Sequence, residues 1–314
     1  MSDNIIVIGS SNVDFFMKMD RLPRLGETVT DCTFMQVFGG KGANQAVGAA
    51  RAGGKVTFVN CVGDDQFADL MVKNFRNDGI NTDYIFREKD IASGAALIMI
   101  DSQGNNYLSV APGANYRLKK SHIDMVKDVI RDAAIVLLQY EVLPETLEYI
   151  IEVCHALGKQ VVLNLAPARP IRDDFLKKIS ILVVNEVEAE FLTGKNVSSP
   201  EEVEQAASVL LVKGIETVII TLGREGSYIA TNDTKEKIPA FTVEALDTTA
   251  AGDVYCGSLC VALVEGRSLQ EAVRFAGAAA AISVTRLGAQ PSAPTRKGIE
   301  LFINSTNTWK NSEL

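Results

Sequence analysis

The chain has 314 residues, 47% of them apolar and 22% charged, and carries a formal charge of −8. This composition supports a large packed core in one domain or two and excludes wholesale disorder. The acidic balance excludes a general nucleic-acid binder, while a local cationic pocket for a phosphorylated ligand stays compatible with it.

Met1-Ser2-Asp3-Asn4 leads straight into a short apolar run at 5–8, with no basic region and no long apolar stretch. Neither a signal peptide nor a membrane span is expected. The five cysteines, Cys32, Cys61, Cys154, Cys256 and Cys260, form no C-x-x-C pair. Reduced thiols and a cytoplasmic, or also nuclear, setting are the expectation. His122 and His155, the only histidines, lie in helix-like segments, so a Ser-His-Asp triad or a zinc site is poorly supplied.

The β-branched run 4–9 reads as a buried first strand. Asn12 and Asp14 follow at strand spacing, where i and i+2 share a face and an amide and a carboxylate could hold a ligand's hydroxyls; a turn would use the same residues. Residues 28–38 are rich in β-formers and run into Gly39-Gly40-Lys41-Gly42-Ala43-Asn44-Gln45, which opens a small-residue helix to Ala52. A P-loop needs glycine where Met35 stands and Ser or Thr after the lysine, and the dinucleotide fingerprint needs glycine where Gln45 stands. Neither nucleotide loop is present. What remains is a glycine loop that permits close approach, suited to a polyhydroxy ligand or serving turn geometry alone.

A buried strand at 56–61 precedes a helix capped by Asp64-Asp65 that runs through Asp78 and stops at Gly79. Residues 95–100 and 107–110 flank a turn at 101–105 and read as a hairpin. With 28–38 they predict a small β-sheet projecting from the body as a lid. After Ala114 the pattern alternates: helix from Ser121, strand 134–138, helix from Pro144, strands 160–163 and 181–184. Such alternation predicts a parallel sheet with helices on both faces and ligands beyond the carboxyl ends of its strands. Glu141, Asn164 and Asn185-Glu186-Val187-Glu188 follow three of these strands, as helix caps or as a ligand rim. Strand 217–222 leads into Gly223-Arg224-Glu225-Gly226, which could seat nucleotide phosphates or form a plain turn.

Asp247-Thr248-Thr249-Ala250-Ala251-Gly252-Asp253 stands before an amphipathic segment at 254–265. Small side chains at a helix start leave unpaired N–H groups open to an anion. A carboxylate there fits a base that takes a proton from a hydroxyl attacking phosphate, or an ordinary acidic first turn. An alanine-rich helix over 269–287, a carbonyl-rich loop from Thr285 to Ser292 and a fraying tail from Asn304 that carries Trp309 complete the chain. No repeat or linker divides it, so one α/β body over 1–314 is expected, with a lid from about 14–38 and 93–112.

Two long motifs about 200 residues apart, Gly39-Gly40-Lys41-Gly42-Ala43-Asn44-Gln45-Ala46 and Asp247 through Asp253, coincide with one family, and Asn185-x-x-Glu188 lies between them. From Ile5 to about Pro294 the chain resembles the ribokinases, within the pfkB-type carbohydrate kinases. The resemblance implies a ribokinase-like three-layer α/β fold and ATP-dependent phosphorylation of ribose, with deoxyribose, fructose or adenosine as other acceptors. A non-catalytic sugar-binding regulator is the more distant alternative. By matched position, Asn12, Asp14, Gly40, Lys41, Asn44 and Glu141 would bind the sugar beneath the lid. Asp253 would be the general base, with the backbone N–H groups of Ala250, Ala251 and Gly252 as the anion hole.

The same resemblance lays Asn185, Thr221, Gly223, Arg224, Gly226, Gly252 and Gly277 along ATP and gives Glu188 the task of organising Mg²⁺ through waters. Asp247, Thr249, Ser283, Arg286, Gly288 and Ser292 would hold an activating K⁺ largely through carbonyl oxygens. Gly277 departs from the bacterial pattern, which has a larger side chain in the adenine pocket, and Arg224 replaces a small polar residue. A homodimer through the lid is also implied.

Overall fold

The computed structural model describes residues 3–310. Its first strand, β1 (Asn4–Ile8), is buried on both faces: Ile5 and Val7 enter one core, Ile6 and Ile8 another. A strand with four successive buried apolar residues belongs between two helical layers.

In chain order there follow β2 (Asn12–Lys18), β3 (Thr33–Gly39), α1 (Lys41–Arg51), β4 (Lys55–Gly63), α2 (Gln66–Asn77), β5 (Ile85–Glu88), β6 (Gly94–Ile100) and β7 (Asn106–Ala111). The middle of the chain supplies α3 (Lys120–Met125), α4 (Lys127–Arg131), β8 (Ile135–Gln139), α5 (Pro144–Ala156), β9 (Gln160–Asn164), α6 (Asp173–Leu176), β10 (Ile181–Asn185), α7 (Glu186–Thr193) and α8 (Pro200–Val212). The last part gives β11 (Thr217–Thr221), β12 (Ser227–Ala230), β13 (Lys235–Ile238), α9 (Ala251–Val264), α10 (Leu269–Ser283) and α11 (Arg296–Lys310).

The main sheet has the order β13-β12-β11-β10-β9-β8-β1-β4-β5 and is parallel except for the antiparallel pairs β11–β12 and β12–β13. Helices α1, α2, α9, α10 and α11 pack on one face and α3 to α8 on the other. The three-layer α/β expectation holds. The chain leaves β1 for β4 on one side and returns to β8 on the other, so the strand order reverses at β1. Beyond the carboxyl end of such a strand the flanking connections diverge and open a crevice. Among the described residues no helix is long and apolar enough to cross a membrane.

The second sheet has the order β3-β2-β6-β7, with β2 parallel to β6 and the other pairs antiparallel. Asn12 and Asp14 stand in a strand, not a turn. Several expected bounds change. Extended structure expected from residue 28 begins at Thr33. Helix α9 starts three residues before the expected Val254, inside the small-residue motif, and it is not amphipathic: 253–262 is buried throughout. The alanine-rich helix stops at Ser283, short of the expected 287. The tail does not fray at Asn304, because α11 continues to Lys310; the Trp309 side chain and residues 311–314 lie outside the described set.

Candidate active site

The crevice forms where α1 and α9 cross. A Cβ added to Gly257 would lie 2.4 Å from the Gln45 carbonyl oxygen and 2.6 Å from the Ala49 nitrogen. Only glycine lets the two backbones approach this closely. The contact carries the first turn of α9 against Asn44 and Gln45, although these residues lie more than 200 positions apart in the chain.

Asp253, 5% exposed, sits in that first turn. Its Oδ2 accepts from Asn44 Nδ2 and its Oδ1 from Gln45 Nε2, both at 3.0 Å. Burial pushes its carboxyl upward; Lys41 and the two amide donors oppose that rise, and Glu141 adds to it. Ala250, the residue before α9, adopts a left-handed backbone with φ 60°. For alanine that conformation costs about 1–2 kcal/mol, and such outliers concentrate at ligand-handling sites. The Ala251 N–H bonds the Thr248 carbonyl at 3.2 Å. Among the described residues the N–H groups of Ala250 and Gly252 have no acceptor, and a Cβ on Gly252 would meet nothing within 4 Å. Of the three expected anion-hole donors, two are therefore open and one is turned into the chain.

Asn12, Asp14, Gly40, Lys41 and Glu141 gather around the end of β1. Gly40, at φ 87°, precedes α1, and a Cβ there would lie 2.7 Å from Ser11 Cα, so the turn packs on the chain's own backbone. Glu141 Oε2 accepts from the Lys41 N–H at 2.9 Å and from Ser10 Oγ at 2.5 Å, tying β8 to the start of α1. It therefore caps a helix remote in sequence. Asn12 Oδ1 accepts from Asn115 Nδ2 at 2.9 Å, and Asn115 also binds Ser11 through its backbone. The Asp14 carboxyl is pushed up to about 7, first by burial and then by Glu141. Asp14 Oδ1 and Asn44 Oδ1 are buried without a partner. Orphaned acceptors of this kind suit a ligand rich in hydroxyl donors.

The Lys41 ammonium lies among Asp253, Glu141 and Glu188. Burial works against its charge, but the carboxylates outweigh burial and its affinity for the proton rises. Asn185 and Glu188 form a reciprocal capping box at the start of α7: Glu188 N–H donates to Asn185 Oδ1 at 2.8 Å, and Asn185 N–H to Glu188 Oε2 at 2.9 Å. Burial raises the Glu188 carboxyl, with the Asn185 N–H and Lys41 working against the shift and Asp253 adding to it. Thr221 ends β11, its Oγ1 donating to the Val184 carbonyl, and Gly223 and Arg224 are exposed just beyond it. Gly226 (φ 104°) closes that turn. A Cβ on Gly277, in α10, would meet nothing within 4 Å.

Asp247 joins the two loops expected to hold a cation. Its Oδ1 accepts from the Thr249 N–H at 2.9 Å and its Oδ2 from the Gly288 N–H at 2.8 Å. Burial alone would raise its carboxyl, but these bonds lower it on balance. The Ser283 carbonyl accepts from the Arg286 N–H at 3.0 Å, and the Ser292 carbonyl from the Arg286 guanidinium at 3.3 Å. Among the described residues the carbonyls of Thr249, Arg286 and Gly288 accept no hydrogen bond.

Sequence reasoning missed Gln45, Gln139 and Asn115. Each is a fully or nearly fully buried amide, at 0%, 0% and 2% exposure; Gln45 and Asn115 donate to Asp253 and Asn12, and Gln139 donates to Gln45. A buried amide is costly unless satisfied, so amides at strand ends and in a helix first turn were the available signal.

A model for pfkB family carbohydrate kinases matches residues 2–296. Ribokinase from Haemophilus influenzae is 40% identical over 303 residues, covering 96% of this chain and 99% of that protein. A deoxyribokinase from Salmonella typhi is 37% identical over 302 residues, covering 96% of this chain and 99% of that protein. A solved structure of Arabidopsis thaliana ribokinase complexed with ribose and ATP aligns at TM-score 0.92 and 32% identity, covering 96% of this chain and 99% of that one. With a match of this extent and a crevice assembled from both of the motifs that first pointed to it, the chain belongs to the pfkB family of carbohydrate kinases.

Proposed function

We propose that the protein transfers the γ-phosphoryl group of ATP to the 5-hydroxyl of D-ribose, giving D-ribose 5-phosphate and ADP. The observation that carries this reading is the buried Asp253 carboxylate, with each oxygen held by an amide donor and the open N–H groups of Ala250 and Gly252 beside it. Asp253 takes the proton as the sugar oxygen attacks phosphorus in line and the bond to the ADP oxygen breaks. The open N–H groups and the α9 dipole offset charge building on the transferred group. Asn12, Asp14, Lys41, Asn44 and Glu141 hold the sugar, and the small sheet closes over it. The orphaned oxygens of Asp14 and Asn44 support that assignment.

Asn185, Thr221, Gly223, Arg224, Gly226, Gly252 and Gly277 line the ATP side. Glu188 keeps one carboxylate oxygen free of its capping bond for the waters of Mg²⁺, which neutralises phosphate charge when bound. The donor set around Asp247 is all oxygen and suits K⁺, with the Thr249, Arg286 and Gly288 carbonyls available. Its task is to order the loop before α9.

Met35, Leu108 and Val110, at 44%, 62% and 52% exposure, share a face of the small sheet with Asp14 by register. An apolar face of this kind fits a second copy of the chain, and a monomer in sedimentation equilibrium would contradict the homodimer. A cytoplasmic setting suits the free cysteines.

Deoxyribose is the second reading, because the Salmonella deoxyribokinase, at 37% identity, is as similar to this chain as the ribokinases of Staphylococcus aureus and Bacillus subtilis, at 36% and 37%. Replacing Asp253 with Asn tests the mechanism. The expected result is a loss of about 10²–10⁴-fold in kcat with sugar KM little changed. Near-normal turnover would remove Asp253 as the base.

A further inference from the structure

Two amides meet Asp253, and only Asn44 is assigned to the sugar. The other, Gln45, is fully buried and uses every polar atom of its side chain. Its Nε2 donates to Asp253 Oδ1 and to Asn164 Oδ1, both at 3.0 Å, and its Oε1 accepts from Gln139 Nε2 at 2.6 Å. Asn164 is fixed in turn, donating to the Val183 carbonyl at 3.2 Å. Gln139 and Asn164 end β8 and β9 and face each other in register. Three amides thus run from the carboxyl ends of two central strands to the reacting carboxylate.

We propose that Gln45 is the positioning residue of the base, holding Asp253 ionised and aimed at the sugar hydroxyl, and that Gln139 reinforces the orientation in which Gln45 does so. The inference rests on Asp253 being the base. A primary amide has two orientations related by a half-turn. In the observed one, N–H groups face Asp253 and Asn164, and the carbonyl faces the Gln139 amino group. The flipped one sets the Gln45 oxygen against the Asp253 carboxylate and its amino group against that of Gln139. Both contacts are repulsive, so Asp253, Asn164 and Gln139 each favour the donor orientation, Gln139 through its amino group while its own Oε1 is buried without a partner among the described residues.

The donor matters because the site otherwise disfavours the ionised base. Burial and Glu141 push Asp253 toward its protonated form, which is far too weak a base to take the hydroxyl proton. Lys41 on α1, Asn44 and Gln45 oppose them. Glu188 on α7 and Cys256, three residues along α9, also face Asp253. A Gln45 substitution leaves all of these charges in place and removes one donor, so the protonation equilibrium of Asp253 moves upward in pH.

The test is the pH profile of kcat with saturating ribose and ATP for the wild type, Gln45→Met, Gln139→Met and Asp253→Asn, with sugar KM measured in parallel. Methionine keeps the side-chain volume and removes the amide. For Gln45→Met the acid limb should move up by about one pH unit, a roughly ten-fold loss of kcat below the limb that recovers at alkaline pH, with sugar KM unchanged. Gln139→Met, which keeps Gln45 but removes one of the contacts that orient it, should move the limb the same way by less. An unmoved limb in Gln45→Met, whether kcat is unchanged or lowered equally at every pH, overturns the proposal. If Gln45→Met does not fold, an unmoved limb in Gln139→Met does the same. Turnover surviving in Asp253→Asn would instead remove the base assignment on which the inference stands.

Discussion

At Asp14, burial and the neighbouring Glu141 push the carboxyl up to about 7, far from the value of about 3.9 of an unfolded chain. The folded protein therefore binds this proton more tightly than the unfolded one. Stability from this group is fully present below about pH 4 and is lost as pH rises through about 7. Asp14→Asn, neutral at every pH, should melt above the wild type at about pH 8, with the gap closing toward pH 4. The sugar-binding role proposed for Asp14 runs the other way, because an ionised carboxylate accepts hydroxyl hydrogen bonds. Ribose KM should rise as pH falls below about 7, and the Asn variant should show a higher, flat KM. A wild-type KM constant from about pH 5.5 to 8.5 would contradict this. Asp14 and Asp253 were legible because strand spacing and a helix first turn announce their surroundings. Gln45 was not, since its partners come from positions 94, 119 and 208 residues away, and nothing local marks an amide as the centre of a network.

Helices α1 and α9 carry the two halves of the site, and Gly257 sets their separation. In Gly257→Ala the new Cβ meets backbone, the Gln45 oxygen at 2.4 Å and the Ala49 nitrogen at 2.6 Å, which no rotamer change relieves. The expected cost is about 1–3 kcal/mol in urea unfolding, with kcat falling because the contact displaced is the one that holds Gln45 beside Asp253. Gly277→Ala is the control: its Cβ has open space, so the helix should gain up to about 1 kcal/mol. Equal stability of the two variants would refute the packing account. The alternating strands were readable because each parallel strand is a continuous apolar run. Helix α9 was misjudged as amphipathic because it packs between α1 and α10, which erases the polar face. Strand β5 escaped notice because its Ile-Phe-Arg-Glu sequence, at the sheet's edge, shows neither continuous burial nor strict alternation.

For the molecule as a whole, the reversal of strand order at β1 explains why residues from so many segments meet. Asn12 and Asp14 leave that strand's carboxyl end, α1 begins beside it, Glu141 follows the neighbouring β8, and α9 crosses above. The fold class and this crevice were legible in the sequence; the choice among related acceptors was not, because it depends on where side chains stand in three dimensions. The most direct measurement is ADP release by the purified protein over ribose, deoxyribose, fructose and adenosine, in K⁺ and in Na⁺. Ribose should give the highest kcat/KM, and turnover should be faster in K⁺. No ADP release with any acceptor would contradict phosphoryl transfer, and a higher kcat/KM with another acceptor would contradict ribose as the substrate.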